Sequence, residues 1–148
     1  MPPAGCLGRT GKQLLAGVSR CHRAGVLHRN LKSQNLLLDS GGKVKVCDFG
    51  WARFQTVDSG RTFFNSWQWV APEILAGGRF NEKADVYSLG VVLYELLRPR
   101  FGTTMERVTC ISKIARASSE ERLRILRQEL PHIDKDVAEL VASALARD

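Results

Sequence analysis

The fold is decided by residues 28–50, which read HRNLKSQNLLLDSGGKVKVCDFG. The leucines at 36–38 form a short apolar run, and residues 39–42 supply the aspartate, serine and glycines that favour a turn. Residues 44–46 then alternate between apolar and polar side chains, as a half-buried strand does. The pattern predicts a β-hairpin that brings the two flanks of this stretch together.

Three polar side chains flank the predicted hairpin. Lys32 and Asn35 precede its first strand, and Asp48 follows its second strand. Because Mg²⁺ takes hard oxygen ligands and shares them with phosphate groups, an amide and a carboxylate converging beside a lysine suit a metal-bound phosphate. The stretch therefore predicts a phosphate and magnesium site next to the hairpin.

Two further stretches carry information. The polar stretch from residue 51 to 65 is a long loop, and loops of this length are often functional; it leads to residues 69–73, which read WVAPE. Residues 84–97 are apolar nearly all round and predict a buried helix. The carboxylate of Asp85 within it needs hydrogen-bonding partners.

These motifs resemble those of a eukaryotic protein kinase. Residues 28–35 match its catalytic loop, residues 48–50 its D-F-G motif, and residues 71–73 the A-P-E motif that closes the activation segment. The motifs occur in the order of the family. The resemblance implies a protein-kinase-like fold, mainly α with a small β-hairpin, of which this chain is the C-terminal lobe.

The resemblance also implies catalytic roles. Lys32 matches the lysine that approaches the transferred phosphate, whereas Asn35 and Asp48 match the ligands of Mg²⁺, so the implied cofactors are ATP and Mg²⁺. Asn30 departs from the family, which has an aspartate at this position that accepts the proton of the substrate hydroxyl. A neutral amide is not a useful proton acceptor at neutral pH, and Asn30 therefore predicts impaired chemistry.

A second group of implied roles concerns the activation segment. Arg29 matches the arginine that holds a phosphorylated or acidic segment, and Glu73 is the glutamate of the A-P-E motif. Ser59, Thr62 and Ser66 are the candidate modification sites in or next to this segment.

Two residues have implied structural roles. His28 matches a histidine that the family uses for packing, and Asp85 matches an aspartate that accepts N–H bonds from the catalytic loop. An alternative for Asp85 follows from its position alone, because the helix dipole favours a carboxylate in the first helical turn.

The motifs also suggest a kinase group. Lys32 and the S-Q-N that follows resemble serine/threonine kinases, and Ser66 stands where those kinases usually have threonine. Trp69 instead resembles tyrosine kinases. The combination is similar to the tyrosine-kinase-like group of serine/threonine kinases.

The rest of the chain predicts further helices. Residues 1–9 contain Pro and Gly without periodicity and predict a flexible N-terminal segment. A helix is expected from Thr10, which caps it, to Arg23, and Gly25 ends it. Two amphipathic helices capped by Ser118 and Asp134 close the chain, whereas the pattern from residue 98 to 117 is diffuse.

Residues 10–148 are thus predicted to form a partial kinase domain, truncated at both ends. The Gly-rich loop, the strand lysine and its glutamate partner that complete the nucleotide cleft of the family are not found in this sequence. Activity of these residues by themselves is therefore not expected.

Composition narrows the class of protein. Hydrophobic residues make up 44% and charged residues 25%, as in globular proteins. The net charge is +7, but the basic residues are spread along the chain, which argues against a nucleic-acid partner. The four cysteines form no C-x-x-C pair and predict no zinc or redox site.

The sequence shows neither a signal peptide nor a membrane-length apolar run, and we expect an intracellular, cytoplasmic protein without membrane contact.

Two functions remain open on the sequence. The first is ATP-dependent phosphoryl transfer to serine or threonine of a protein substrate, by a kinase whose other lobe lies outside these residues. The second is a pseudokinase, a docking or regulatory module that binds a partner protein without chemistry. Both functions imply a protein partner, and neither predicts an oligomeric state.

Overall fold

The computed structural model describes residues 4–54, 66–98 and 100–146, and the side chains of the first helix from residue 8 onward. The helices are α1 Ala4–Arg23, α2 Pro72–Leu75, α3 Glu82–Leu97, α4 Thr104–Arg116, α5 Ser119–Glu129 and α6 Lys135–Ala144. The strands are β1 Val26–Leu27, β2 Leu36–Leu38, β3 Val44–Val46 and β4 Arg53–Phe54. The predicted fold, mainly α with a small β-hairpin, is confirmed. Within the described ranges, every helix is too short or too polar to cross a membrane.

The predicted hairpin consists of β2 and β3, which pair antiparallel with Leu37 opposite Lys45. Asp39 organises the turn, because its carboxylate accepts the N–H groups of Gly41 at 3.0 Å and Lys43 at 2.9 Å. Aspartate favours such turns through these local bonds. The turn fixes the register of the strands, so that their outer flanks lie at the same end of the hairpin.

Helix α1 begins earlier than predicted. It is helical from Ala4, so Thr10 is an interior residue, and its predicted role as the cap is wrong. The glycines near this end weaken local helix propensity, but an apolar face that packs on the core can outweigh propensity. The flexibility expected of residues 1–9 stays a prediction. The predicted end is confirmed, since α1 stops at Arg23 and Gly25 has a φ of +73°.

Helix α3 lies at the centre of the packing, as the sequence predicted. Its cap is Asn81, whose side chain accepts the N–H of Ala84 at 3.2 Å. Helices α1 and α6 pack against it. Its buried residues cover most of the helix surface and include Ala84, Asp85, Tyr87, Ser88, Leu89, Gly90, Val91, Val92, Leu93 and Tyr94.

Gly90 allows α3 and α6 to approach each other closely. A Cβ atom added at Gly90 would lie 2.8 Å from the Cβ of Ala144. We expect Gly90→Ala to lower the free energy of unfolding by about 1–3 kcal/mol, because overpacking outweighs the better helix propensity of alanine. Gly17→Ala in α1 is the matched control, since a Cβ there meets only Val46, at 3.8 Å. This variant is expected to gain up to about 1 kcal/mol, and urea unfolding measures both. Equal effects would contradict the close approach at Gly90.

Helix α4 was not predicted, because the apolar pattern from residue 98 to 117 is diffuse. Its cap is Thr103, whose hydroxyl accepts the N–H of Glu106 at 3.1 Å. Ile111 and Ile114 lie buried in the core. The T-x-x-E spacing of a capping box was the sequence signal that marks its start.

The two predicted caps of the last helices have different outcomes. Ser118 accepts the N–H of Glu121 at 3.3 Å, which confirms the cap of α5. Asp134 occupies the cap position of α6, but its side chain makes no capping bond there. The buried Arg122 of α5 donates to the carbonyl of Ile114 at 3.0 Å and so joins α5 to the end of α4.

Candidate active site

The predicted catalytic loop, residues 28–35, is held by Asp85 of α3. The buried carboxylate of Asp85 accepts the N–H groups of His28 at 2.8 Å and Arg29 at 2.9 Å, which are the kind of bonds that the kinase resemblance implied. The Nε2 atom of His22 lies 3.0 Å from the same carboxylate. That contact joins residues 63 positions apart and was not predicted. If Asp85 served only to interact favourably with the helix dipole, none of these hydrogen bonds would be needed.

His28 packs within the site. Its Nδ1 accepts the N–H of Asn30 at 3.2 Å, so the proton of the neutral ring is on Nε2, which donates to the carbonyl oxygen of Cys47 at 3.2 Å. The ring meets that of Phe49 edge-on, with 4.6 Å between the ring centres. Burial lowers the pKa of His28 and favours this neutral form. The geometry is that of a packing residue.

Two residues of the site have a left-handed backbone. The φ angle is +67° at Arg29 and +64° at Asp48. For residues other than glycine, this conformation costs about 1–3 kcal/mol and persists where the surroundings impose it. At Arg29 the bond to Asp85 helps to impose it, and at Asp48 two amide side chains hold the carboxylate. Such strain is typical of functional sites.

Four polar side chains form one chain of hydrogen bonds through Asn30. Its Nδ2 donates to the Oδ2 of Asp48 at 3.0 Å, and its Oδ1 accepts the hydroxyl of Ser66 at 2.8 Å. Ser66 also accepts from the Nζ of Lys32 at 3.3 Å. The sequence marked Ser66 as a modification candidate and as a position typical of the kinase group, but not as a member of the site. Its place inside the site was missed because 36 residues separate it from Asn30.

Asn35 completes a set of oxygen ligands with Asp48. The Nδ2 of Asn35 donates to the carbonyl oxygen of Asn30 at 2.8 Å and lies 3.4 Å from the Oδ2 of Asp48. The Oδ1 of Asn35 is therefore the amide atom left to bind a cation. In the described part of the chain, His, Cys, Asp and Glu form no group of three or more that could hold a metal ion. An amide oxygen and one carboxylate fit Mg²⁺, which completes its shell with phosphate and water.

The activation-segment residues lie partly within the described structure. The guanidinium carbon of Arg29 lies 5.3 Å from the ring centre of Phe80, a cation–π distance. Glu73 is exposed on α2. Ser59 and Thr62 lie outside the described residues.

Trp69 anchors the end of this segment to α3 and α4. Its Nε1 donates to Glu95 at 3.0 Å, and its carbonyl accepts the hydroxyl of Ser88 at 2.6 Å. The guanidinium of Arg107 lies 4.7 Å from the Trp69 ring and donates to Glu95 at 2.5 Å. Sequence reasoning missed Ser88, Glu95 and Arg107, because their partners are distant in the chain.

Comparisons with known proteins find similarity to serine/threonine kinases. A probable serine/threonine-protein kinase of Dictyostelium discoideum is 42% identical over 85 residues, which are 57% of this chain and 9% of that protein. Aurora kinase A-B of Xenopus laevis is 38% identical over 107 residues, 70% of this chain and 26% of that protein. The probable serine/threonine-protein kinase KCC4 of Saccharomyces cerevisiae is 45% identical over 91 residues, 60% of this chain and 9% of that protein.

The matched stretches span about a quarter or less of the length of these relatives. The family model of the protein kinase domain matches residues 6–148, nearly the whole chain. The match includes the three motifs at residues 28–35, 48–50 and 71–73. The chain belongs to the protein kinase domain family.

Proposed function

We propose that these residues are the C-terminal lobe of a serine/threonine kinase domain, which holds the phosphates and Mg²⁺ of ATP next to a protein substrate. One observation carries the proposal: Asn30, Lys32, Asn35 and Asp48 converge with Ser66 in a single hydrogen-bonded group. A lysine, an amide oxygen and a carboxylate in one place suit a magnesium-bound phosphate.

Each side chain has a distinct role in this proposal. When bound, Mg-ATP would supply the transferable phosphoryl group, and its Mg²⁺ would supply positive charge that offsets the negative charge of the phosphates. Asn35 and Asp48 bind the cation through oxygen. Lys32, whose Nζ lies 3.3 Å from the Ser66 hydroxyl, offsets negative charge on the transferred group. Asn30 orients the substrate hydroxyl without accepting its proton.

The activation segment has a regulatory role in this proposal. Arg29 binds the segment when one of its candidate sites, Ser59, Thr62 or Ser66, is phosphorylated, because guanidinium groups pair well with phosphate. Glu73 contributes to the closure of the segment at α2. For Ser66, phosphorylation would remove the hydroxyl proton that it donates to Asn30, whereas the ammonium group of Lys32 would pair with the added phosphate.

The kinase group is also a proposal. The relatives named above are serine/threonine kinases, which agrees with the loop around Lys32. Trp69 adds a feature typical of tyrosine kinases, and we assign the chain to the tyrosine-kinase-like group. A protein substrate or docking partner, an intracellular location and the absence of a nucleic-acid partner belong to the same proposal.

A second candidate function, that of a pseudokinase, is favoured by Asn30. Its amide has no basic atom for the proton of a substrate hydroxyl, and its nitrogen donates directly to Asp48. A domain with this loop retains the surfaces of a kinase and binds a partner protein without chemistry. Phosphotransfer by a chain that includes a nucleotide-covering lobe separates the two functions.

Titration calorimetry with Mg-ATP tests the proposed site. We expect the 148-residue chain to bind weakly, with a Kd above about 100 μM, and only with magnesium, because a nucleotide base needs an enclosed apolar pocket. Asp48→Asn should abolish this magnesium-dependent binding, whereas Asp136→Asn, a change at an exposed aspartate of α6, should not. Micromolar affinity, or binding indifferent to magnesium, would show that the site is misassigned.

A further inference from the structure

The amide of Asn30 joins two parts of the site that lie far apart in the sequence. Its nitrogen donates to Asp48, 18 residues away, and its oxygen accepts from Ser66, 36 residues away. Asn30 is 7% exposed, so its amide cannot turn freely to water. The donor and the acceptor of one small group are thus both used within the protein.

The nitrogen side of this amide faces a carboxylate that already has a second amide donor. The Oδ2 of Asp48 is 3.0 Å from the nitrogen of Asn30 and 3.4 Å from that of Asn35. Neutral amides therefore direct this anionic oxygen from two sides. Asp48 also has a left-handed backbone, with φ of +64°, so its position depends on such bonds.

An aspartate at position 30 would reverse the chemistry of the first contact. An ionised carboxylate only accepts hydrogen bonds, so the side chain could still accept from Ser66 but could not donate to Asp48. Two anionic oxygens would then lie at about hydrogen-bonding distance and repel each other. A cation placed between them would remove the repulsion.

We propose that Asn30 is a positioning residue that holds Asp48 and Ser66 together through the hydrogen bonds of its neutral amide, so that the site is organised independently of a divalent cation. A cation that binds Asp48 must compete with the Asn30 bond, which weakens its affinity. The inference rests on the proposed function only where Asp48 is taken as the cation ligand.

Thermal unfolding in EDTA tests the hydrogen bond. We expect Asn30→Asp to lower Tm by about 3–8 °C, corresponding to the loss of one bond and the gain of one repulsion. Asn81→Asp, which adds the same charge at the exposed cap of α3, should shift Tm by less than about 2 °C.

The reciprocal double variant, Asn30→Asp with Asp48→Asn, supplies the decisive comparison. It restores one amide opposite one carboxylate and should recover most of the lost Tm, because the stability effects of substitutions at contacting residues are not additive. If Asn30→Asp does not fold and the double variant does, the proposal is supported. Additive losses, or two variants that both fail to fold, overturn it.

A cation titration tests positioning, as distinct from a merely structural role. Free Mn²⁺ is followed by electron paramagnetic resonance, and Asn30→Asp is expected to bind Mn²⁺ at least about tenfold more tightly than the unaltered chain, with a matching rise in Tm. Equal Mn²⁺ affinity in the two proteins would contradict the proposed competition between the cation and the Asn30 amide for Asp48. Because neither measurement contains nucleotide or substrate, the proposed kinase function can fail in its own test while this inference stands, and the reverse also holds.

Discussion

Asn30→Asp is expected to leave the 148-residue chain without measurable phosphotransfer, and to raise the activity of a longer chain that includes a nucleotide-covering N-terminal lobe by about 10²- to 10⁴-fold. The gain is the usual contribution of a positioned general base. It should appear with saturating Mg²⁺, which offsets the charge that the substitution adds beside Asp48.

The short and the longer chain are expected to differ in activity because other contributions to catalysis are larger than that of the general base. Correct orientation of the reacting groups alone can supply about 7–11 kcal/mol of a barrier, which exceeds what one base supplies. Phosphoryl transfer depends mostly on positioning and charge stabilisation, and a Gly-rich loop provides part of both. If these residues are the C-terminal lobe, as proposed, restoring the carboxylate is not expected to replace what a nucleotide-covering lobe supplies.

The measurement is transfer of radiolabelled phosphate to a generic basic protein by both chains, with and without Asn30→Asp. Asn81→Asp serves as the matched control, because it makes the same chemical change at the cap of α3 and should leave the rate unchanged. Activity of the short chain with Asp at position 30 would show that the N-terminal lobe does not supply the largest contribution to catalysis. A longer chain that is already fully active with Asn30 would refute the assignment of the base position.

Asp85→Asn is expected to lower the free energy of unfolding by about 3–5 kcal/mol, as breaking a buried charged network usually does. The carboxylate is fully buried and accepts two backbone N–H groups of the catalytic loop together with a contact from His22. An amide of the same shape presents only one acceptor oxygen, so at least one buried donor loses its partner.

Asp136→Asn is the matched control for this change. Both aspartates lie in the first turn of a helix, but Asp136 is exposed. If the helix dipole were the main role of Asp85, the two variants would lose similar amounts, about 0.3–1 kcal/mol. Urea unfolding distinguishes the two cases, and a loss below 1 kcal/mol for Asp85→Asn would contradict the role of the loop bonds.

Local patterns predicted the parts of the site that are close in sequence. The turn residues at 39–42 and the alternation at 44–46 predicted the hairpin, and the hairpin brings Asn35 to within 3.4 Å of Asp48. The apolar surface of α3 likewise predicted its burial. In both cases the pattern that predicts the structure lies within a short stretch of sequence, either a few helical turns or one pair of neighbouring strands.

Contacts between distant parts of the chain could not be predicted from such windows. Ser66 meets Asn30, and His22 meets Asp85, through tertiary contacts between segments that lie 36 and 63 residues apart in the chain. The length of α1 could not be predicted from a local window either, because its apolar residues Leu14, Leu15 and Val18 pack on a core formed by distant parts of the chain. By contrast, the capping box before α4 is a local signal that was overlooked.

The bond between His28 and Asp85 also sets an order of events during synthesis. The two residues are 57 positions apart, and a ribosome that adds about 5–20 residues per second needs roughly 3–11 s to cover that distance. During this interval the loop amides that Asp85 later binds lack this partner, even though the hairpin beside them is already complete in sequence. The nascent chain therefore cannot fix its catalytic loop through these bonds until Asp85 of α3 has left the exit tunnel.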